Sequence, residues 1–323
     1  MFSKSQPNRS FQRSSQIKEI SSVQNQLIKD TVLLGQKAKE RKEKELFIVE
    51  GLREVERALK SGWKCTTIFF EEGFFTQNDI DIFQDQMRRE IEKNVLALHH
   101  ATDIQDSSMI DPQIDSEMTE ASAFLKHIQW IKCTPHVFEK IAYRTGVENF
   151  VAIFEMHQLD ITEIELAAQT APLVLVLENV EKSGNLGAIL RTANAMGVDA
   201  ILVCDEHCDL FNPNLIRNSL GGFFDLQIVQ CSNEEAIFWI KEQGLQIFVT
   251  YLEEGKEAFE HNFKRGCAIV LGAEDVGISE EWLNVADHRI LIEMQGIVDS
   301  LNVSVSTGMI LYEIHRQRKA KSK

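Results

Sequence analysis

The chain has 323 residues, 44% hydrophobic and 26% charged, which is ordinary for a globular protein and long enough for two domains. Its formal net charge of −15 excludes a protein coated in basic surface, and no apolar run approaches the roughly 20 residues of a membrane span. The polar, basic start (1–16) has no apolar segment of the signal-peptide kind, so the cytoplasm is the expected compartment.

Acid is concentrated between Glu71 and Glu120, whereas 4–44 and Arg316–Lys323 are locally basic. Two basic ends on an acidic chain hint at a polyanionic partner. The six cysteines are scattered through apolar contexts, which suits reduced thiols. Cys204 and Cys208 flank His207 but lack a second ligand pair at finger-like spacing, so no metal site is expected.

In chain order, 1–16 reads as a disordered basic tail. From about Ile17 the pattern is helical, with Val23, Leu27 and Leu34 apolar. The charge run Lys37–Glu45 reads as a solvated helix face or loop. Strand Leu46–Val49, a helix through Val55, Ala58 and Leu59 to Gly62, and strand Thr66–Phe70 predict a right-handed parallel crossover. A helix over Ile80–Glu92 and a strand over Asn94–Leu98 follow. The acidic, aperiodic segment 103–122, with Pro112 inside it, reads as a surface insertion. Strand Gln129–Lys132, helix Pro135–Ala142 and strand Phe150–Phe154 complete a first domain over 17–160.

The second domain, 170–323, alternates strands and helices. Its strands are Leu173–Leu177, Ala200–Val203, Leu226–Val229, Gln246–Thr250, Ala268–Leu271 and Arg289–Ile292. That alternation predicts a parallel α/β sheet. The last helix starts near Asn302, with Val303, Ile310 and Ile314 on one face and Ser300 or Asn302 as N-cap.

Three loops each follow a strand of this domain: 178–185, 272–279 and 293–302. In such sheets ligands bind outside the carboxyl ends of the strands. Each loop combines glycine with polar residues: Gly184, Asn185 and Gly187; Gly272, Glu274 and Gly277; Gly296, Ser300 and Asn302. Together they predict a ligand pocket. Neither a G-x-G-x-x-G nor a G-K-[ST] motif is present. Asp205 still stands where a ribose-binding acid would in a dinucleotide fold, so on the residues alone a nucleotide-dependent enzyme stays open. Arg191 and Arg217 are candidate phosphate contacts.

These loops resemble the three motifs of the SpoU-like (TrmH) family of RNA ribose 2′-O-methyltransferases, in the SPOUT superfamily. The matching stretches are Glu181–Ala193, Val270–Ser279 and Ile292–Ser304, in the family's order. The run from Lys37 to Gly51 is similar, more loosely, to the substrate-binding domain of the rRNA-type members. The resemblance implies a C-terminal α/β-knot methyltransferase domain with a deep trefoil knot. It also implies a smaller, ribosomal-protein-like α/β RNA-binding domain before it. S-adenosylmethionine is then the cofactor, held by Leu271, Gly272, Ile292, Met294, Gly296 and Leu301. The catalytic set maps to Arg191, Asn185, Glu274, Ser300 and Asn302, at the interface of a homodimer. Lys37, Arg41 and Arg217 are the expected RNA contacts. No metal and no membrane are implied. Ribosomal RNA of the 23S type is favoured over tRNA, and a non-catalytic RNA-binding protein on the same fold is the remaining alternative. Lys182-Ser183 and Glu293 depart from the family pattern, where Asp-Pro and Pro are usual.

Overall fold

In the computed structural model, which describes residues 17–100, 119, 122–143, 149–166, 171–204, 208–273 and 276–319, the uninterrupted apolar runs form the strands of two sheets. The tail 1–16, nearly all of the acidic segment 103–122, Asp205, His207 and Glu274 lie outside the described residues. Contacts divide the chain into two units, one of Met1–Val32 with Glu50–Phe154 and one of Leu33–Val49 with Glu155–Lys323. Against the expected 17–160 domain, Leu33–Val49 thus groups with the C-terminal unit.

The first sheet contains β1 (Lys18–Ile20), β2 (Leu46–Glu50), β3 (Cys65–Glu71), β4 (Gln129–Cys133) and β5 (Phe150–Glu155), in the order β1-β4-β3-β5-β2. It is mixed, because β3 runs parallel to β4 and antiparallel to β5. The expected pairing of β2 with β3 does not form, since β5 lies between them. The reason is in β5 itself, whose first five residues are all buried and so need a strand on each side. The short β1, paired with β4 from Lys18↔Ile131 to Ile20↔Cys133, replaces the start of the expected helix. Three residues are too few to show a period.

The helices here are α1 (Gln26–Gln36), α2 (Ala38–Lys44), α3 (Leu52–Lys60), α4 (Gln77–His100) and α5 (Pro135–Ile141). The expected strand over Asn94–Leu98 is instead the last part of α4. Ile80, Phe83, Met87 and Ile91 are buried at helical spacing, and the Leu and Ala that follow extend that helix readily. Phe75, Phe83, Trp130 and Phe150 form an aromatic cluster with ring centroids 5.3–6.5 Å apart.

The second sheet contains β6 (Leu173–Glu178), β7 (Ala200–Cys204), β8 (Gln227–Gln230), β9 (Gln246–Thr250), β10 (Lys256–Glu257), β11 (Cys267–Leu271) and β12 (His288–Leu291). Its order is β10-β12-β9-β11-β6-β7-β8 and every neighbouring pair is parallel. Every residue of β6, β7 and β11 is buried, as their unbroken apolar runs require. Each such Leu, Ile or Val contributes about 1.5–3 kcal/mol by leaving water. The helices are α6 (Ser183–Met196), α7 (Pro213–Asn218), α8 (Asn233–Glu242), α9 (Glu280–Val285) and α10 (Val303–Lys319). α6 buries Leu186, Ile189, Leu190 and Ala193 and stops at Gly197, whose φ of 70° suits glycine. α10 buries Val303, Thr307, Ile310, Leu311 and Ile314 on one stripe and packs against α6. Its last turn is not simply a solvated basic end, because Arg318 donates to the carbonyl oxygens of Ala171 at 2.6 Å and Phe263 at 3.0 Å. Among the described residues no helix is long and apolar enough to cross a membrane.

Candidate active site

Parallel register brings the strand ends level. Leu271 pairs with Leu177, and Ile290 with Thr250, so the chain leaves β6, β9, β11 and β12 at one edge of the sheet. There the segments after β9, β11 and β12 enclose a pocket of about 330 Å³. Its lining includes five of the six residues expected to hold the cofactor: Leu271, Gly272, Ile292, Met294 and Leu301. Gly296 is not among the lining residues and is exposed. The structure adds Thr250, Tyr251 and Leu252, which no loop motif singled out. Their signal was positional, since they end a parallel strand beside β11 and β12.

Gly272 explains why its loop needs glycine. A Cβ there would come within 2.1 Å of the Gly277 carbonyl oxygen, so the two ends of the 272–277 turn close on one another. Gly277 itself has φ 72°. Gly187 serves another end. It lies inside α6, and a Cβ would meet the Leu215 carbonyl oxygen at 2.5 Å, so this glycine lets α6 and α7 pack tightly.

Asn302 joins two of the motifs. Its side-chain oxygen accepts from the Ser304 N–H at 3.0 Å, capping α10, while its amide nitrogen donates to the Asn185 side-chain oxygen at 3.1 Å. Asn185 lies in the first turn of α6. Between Asn302 and Ser300, Asn302 is the cap; Ser300 lines the pocket and bonds Asp299 at 3.5 Å. Arg191 stands exposed on α6, and Arg217 is half-buried on α7. Asn212 caps α7, and Asn214 beside it donates to the Ser183 hydroxyl at 3.1 Å, which ties α7 to the start of α6.

Arg41 is not available to RNA. Only 2% of its side chain is exposed, and its guanidinium donates to the Asp209 carboxylate and the Leu34 carbonyl oxygen. The charge run holds one inward-facing cation, which composition could not distinguish from its solvated neighbours. Lys37 precedes α2 without capping it and is exposed. The Cys204 thiol is pushed well above the usual cysteine range by its hydrogen bond with Cys231 and by burial.

A larger hollow of about 840 Å³ lies at the amino ends of β9 and β12, around Gln246, Glu254, Arg265 and His288. One ion pair crosses it, the 2.7 Å bridge from Arg289 to Glu254. The smaller pocket, with its apolar side chains and glycine-backed wall, has the usual make-up of a small-molecule site.

Comparison with known proteins agrees with this geometry. Residues 172–312 match the model of the SpoU rRNA Methylase family, and 25–106 match the MRM3-like substrate binding domain. The 23S rRNA (guanosine(2553)-2′-O)-methyltransferase RlmP of Bacillus subtilis is 26% identical over 92% of this chain and 99% of its own length. A tRNA (guanosine(18)-2′-O)-methyltransferase of Thermus thermophilus is 39% identical over 45% of this chain and 75% of its own. The crystal structure of an AdoMet-bound rRNA methyltransferase from Sinorhizobium meliloti superposes with a TM-score of 0.73 at 26% identity, covering 93% of this chain and 98% of that one. With the second and third motifs walling one pocket and the first joined to the third through Asn185 and Asn302, the chain belongs to the SpoU rRNA methylase family.

Proposed function

We propose that the protein transfers the methyl group of S-adenosylmethionine to a ribose 2′-hydroxyl in structured RNA, with 23S-type ribosomal RNA favoured over tRNA. The observation that carries the reading is the pocket at the carboxyl ends of β9, β11 and β12, walled by the second and third motifs and tied to the first through Asn302 and Asn185. The choice of ribosomal RNA is supported by coverage: the 23S rRNA relative aligns over 92% of this chain, the tRNA relative over 45%.

Bound in the pocket, S-adenosylmethionine supplies an already activated methyl, so the protein's work is positioning and removal of one proton. Leu271, Gly272, Ile292, Met294 and Leu301 would hold the cofactor, with Gly296 in the loop above. Arg191 holds the target phosphate and polarises the 2′-hydroxyl. A guanidinium stays protonated, so it is not itself the base, and the proton leaves through a neighbouring group or water. Asn185, Ser300 and Asn302 orient Arg191 and the ribose, and Glu274 orients the loop or the substrate. Lys37 and Arg217 are the remaining RNA contacts.

The working species in this reading is a homodimer in which Arg191 of one subunit serves the pocket of the other. Val305, Met309 and Tyr312 support it. They form an apolar stripe along α10, each about half or more exposed at 50%, 49% and 62%. We also propose that the segment after β12 threads a loop to form a trefoil knot, and that the first unit is a ribosomal-protein-like RNA-binding domain. Six free cysteines accord with a cytoplasmic setting.

The test is methyl transfer to ribosomal RNA fragments and tRNA transcripts by wild type and Arg191→Ala, with 2′-O-methyl mapping. Wild type is expected to modify one rRNA nucleotide, and the variant to fold, bind cofactor and transfer almost nothing. Near-normal turnover in Arg191→Ala would remove Arg191 from the reaction. Cofactor binding without transfer to any RNA would favour a non-catalytic binder.

A further inference from the structure

Glu178, the last residue of β6, is 1% exposed. Burying a carboxylate is costly unless its oxygens are satisfied. Among the described residues its partners are two N–H donors: the Ser279 backbone at 2.9 Å and the Asn233 side-chain amide at 2.8 Å. Asn233 is itself fixed, because its oxygen accepts from the Trp282 indole at 2.9 Å. One carboxylate thus gathers the end of β6, the first residue of α8 and the residue before α9.

Ser279 closes the second motif. The three residues before it, Val276, Gly277 and Ile278, line the cofactor pocket. Serine is a good N-cap type, yet the Ser279 hydroxyl makes no cap and is buried without a partner. What holds this residue is its backbone N–H on Glu178. We propose that Glu178 is a positioning residue for methyl transfer, fixing the 276–279 backbone so that the pocket wall is formed before S-adenosylmethionine arrives. The proposal rests on the reading that this pocket holds the cofactor.

The chemistry requires glutamate rather than glutamine. A carboxylate only accepts, whereas an amide offers one accepting oxygen and turns a donor toward the other N–H. Asn233 cannot turn over to compensate without leaving the Trp282 indole unpaired. Moving the charge one residue along does compensate. In Glu178→Gln combined with Asn233→Asp, the glutamine oxygen accepts from Ser279, its nitrogen donates to the new carboxylate, that carboxylate still accepts from Trp282, and the exposed Glu281, to which the Asn233 amide also donates at 3.1 Å, turns out to solvent.

The experiment measures S-adenosylmethionine affinity by calorimetry and the cofactor-free thermal midpoint for wild type, Glu178→Gln, the double variant and Leu301→Arg. Glu178→Gln is expected to bind at least about tenfold more weakly, and the double variant to return within about threefold of wild type. Ser279→Pro removes that N–H, together with a hydroxyl that makes no hydrogen bond, at a residue whose φ of −69° suits the ring, and should weaken binding alike even if Glu178→Gln does not fold. Native affinity in the folded single variants overturns the proposal, as does a lowered midpoint with unchanged affinity, or a double variant no better than Glu178→Gln. Leu301→Arg separates the two readings. If it binds normally, the cofactor sits elsewhere and both fall. If it does not bind while Glu178→Gln does, the pocket stands and Glu178 positions nothing.

Discussion

The guanidinium of Arg41 lies on the carboxylate of Asp209, with the arginine side chain 2% and the aspartate 18% exposed. A residue from a helix of seven, five of them lysine or glutamate, is thereby the most enclosed charge of its segment. Asp209 begins the turn that leads through Asn212 into α7, and Phe47 packs on Phe211 of the same turn at 4.9 Å.

Removing one partner leaves the other charged and buried, so Arg41→Ala or Asp209→Ala should destabilise by on the order of 3–5 kcal/mol. Removing both should cost clearly less than the sum of the two. Denaturant titration of the four proteins checks this, and additive losses would mean that the contact is energetically idle.

Asn302 performs two tasks that one substitution separates. Asn302→Asp keeps the cap on α10 but loses the N–H that reaches Asn185. Stability should stay within about 0.5 kcal/mol, because aspartate caps as well as asparagine. Methyl transfer should fall by up to about tenfold, the worth of one good hydrogen bond. Asn302→Ala should lose activity and also about 1 kcal/mol of stability.

Gly272→Ala should abolish cofactor binding while leaving a folded protein. The added methyl overlaps the Gly277 carbonyl oxygen, and the turn must open to admit it. Calorimetry with S-adenosylmethionine beside circular dichroism reads both halves of the prediction.

His261 supplies a pH dependence. Its Nε2 lies 3.0 Å from the Arg289 carbonyl oxygen and 3.3 Å from that of Lys256, so that nitrogen carries a hydrogen in the neutral ring. Burial lowers its pKa below the usual 6.5, against the pull of those two bonds, and nearby His288 and Lys256 add to the lowering. As pH falls through 6.5 the unfolded chain takes up the proton first. Stability is therefore complete above that pH and declines as the pH drops toward the lower folded value. Thermal midpoints between about pH 8 and pH 5 should show this slope, reduced in His261→Gln, which can still donate.

The second sheet is legible in the sequence because β6, β7 and β11 are buried on both faces, and such strands must be apolar at every position. The pocket is legible because glycines and capping residues after parallel strands have few other reasons to cluster. What cannot be read depends on distant partners. Arg41 faces inward because Asp209, 168 residues away, receives it. Glu178 binds residues 55 and 101 positions along the chain, and nothing beside it in sequence announces them. Asn94–Leu98 resembles a strand in its local apolarity, but the period begun at Ile80 governs it. β10 is two residues long and exists only through its pairing with β12.

The pocket draws its walls from Thr250 through Ser306. During synthesis, then, the amino-terminal half of the sheet can form while there is still nowhere for the methyl donor to bind. In the proposed reading, cofactor binding requires that residue 306 has been made and the start of the final helix is in place. A chain halted at β12 would lack Ile292, Met294, Ser300, Leu301, Val303 and Ser306 of that lining, so in the proposed reading the methyl donor stabilises only a chain that extends past them.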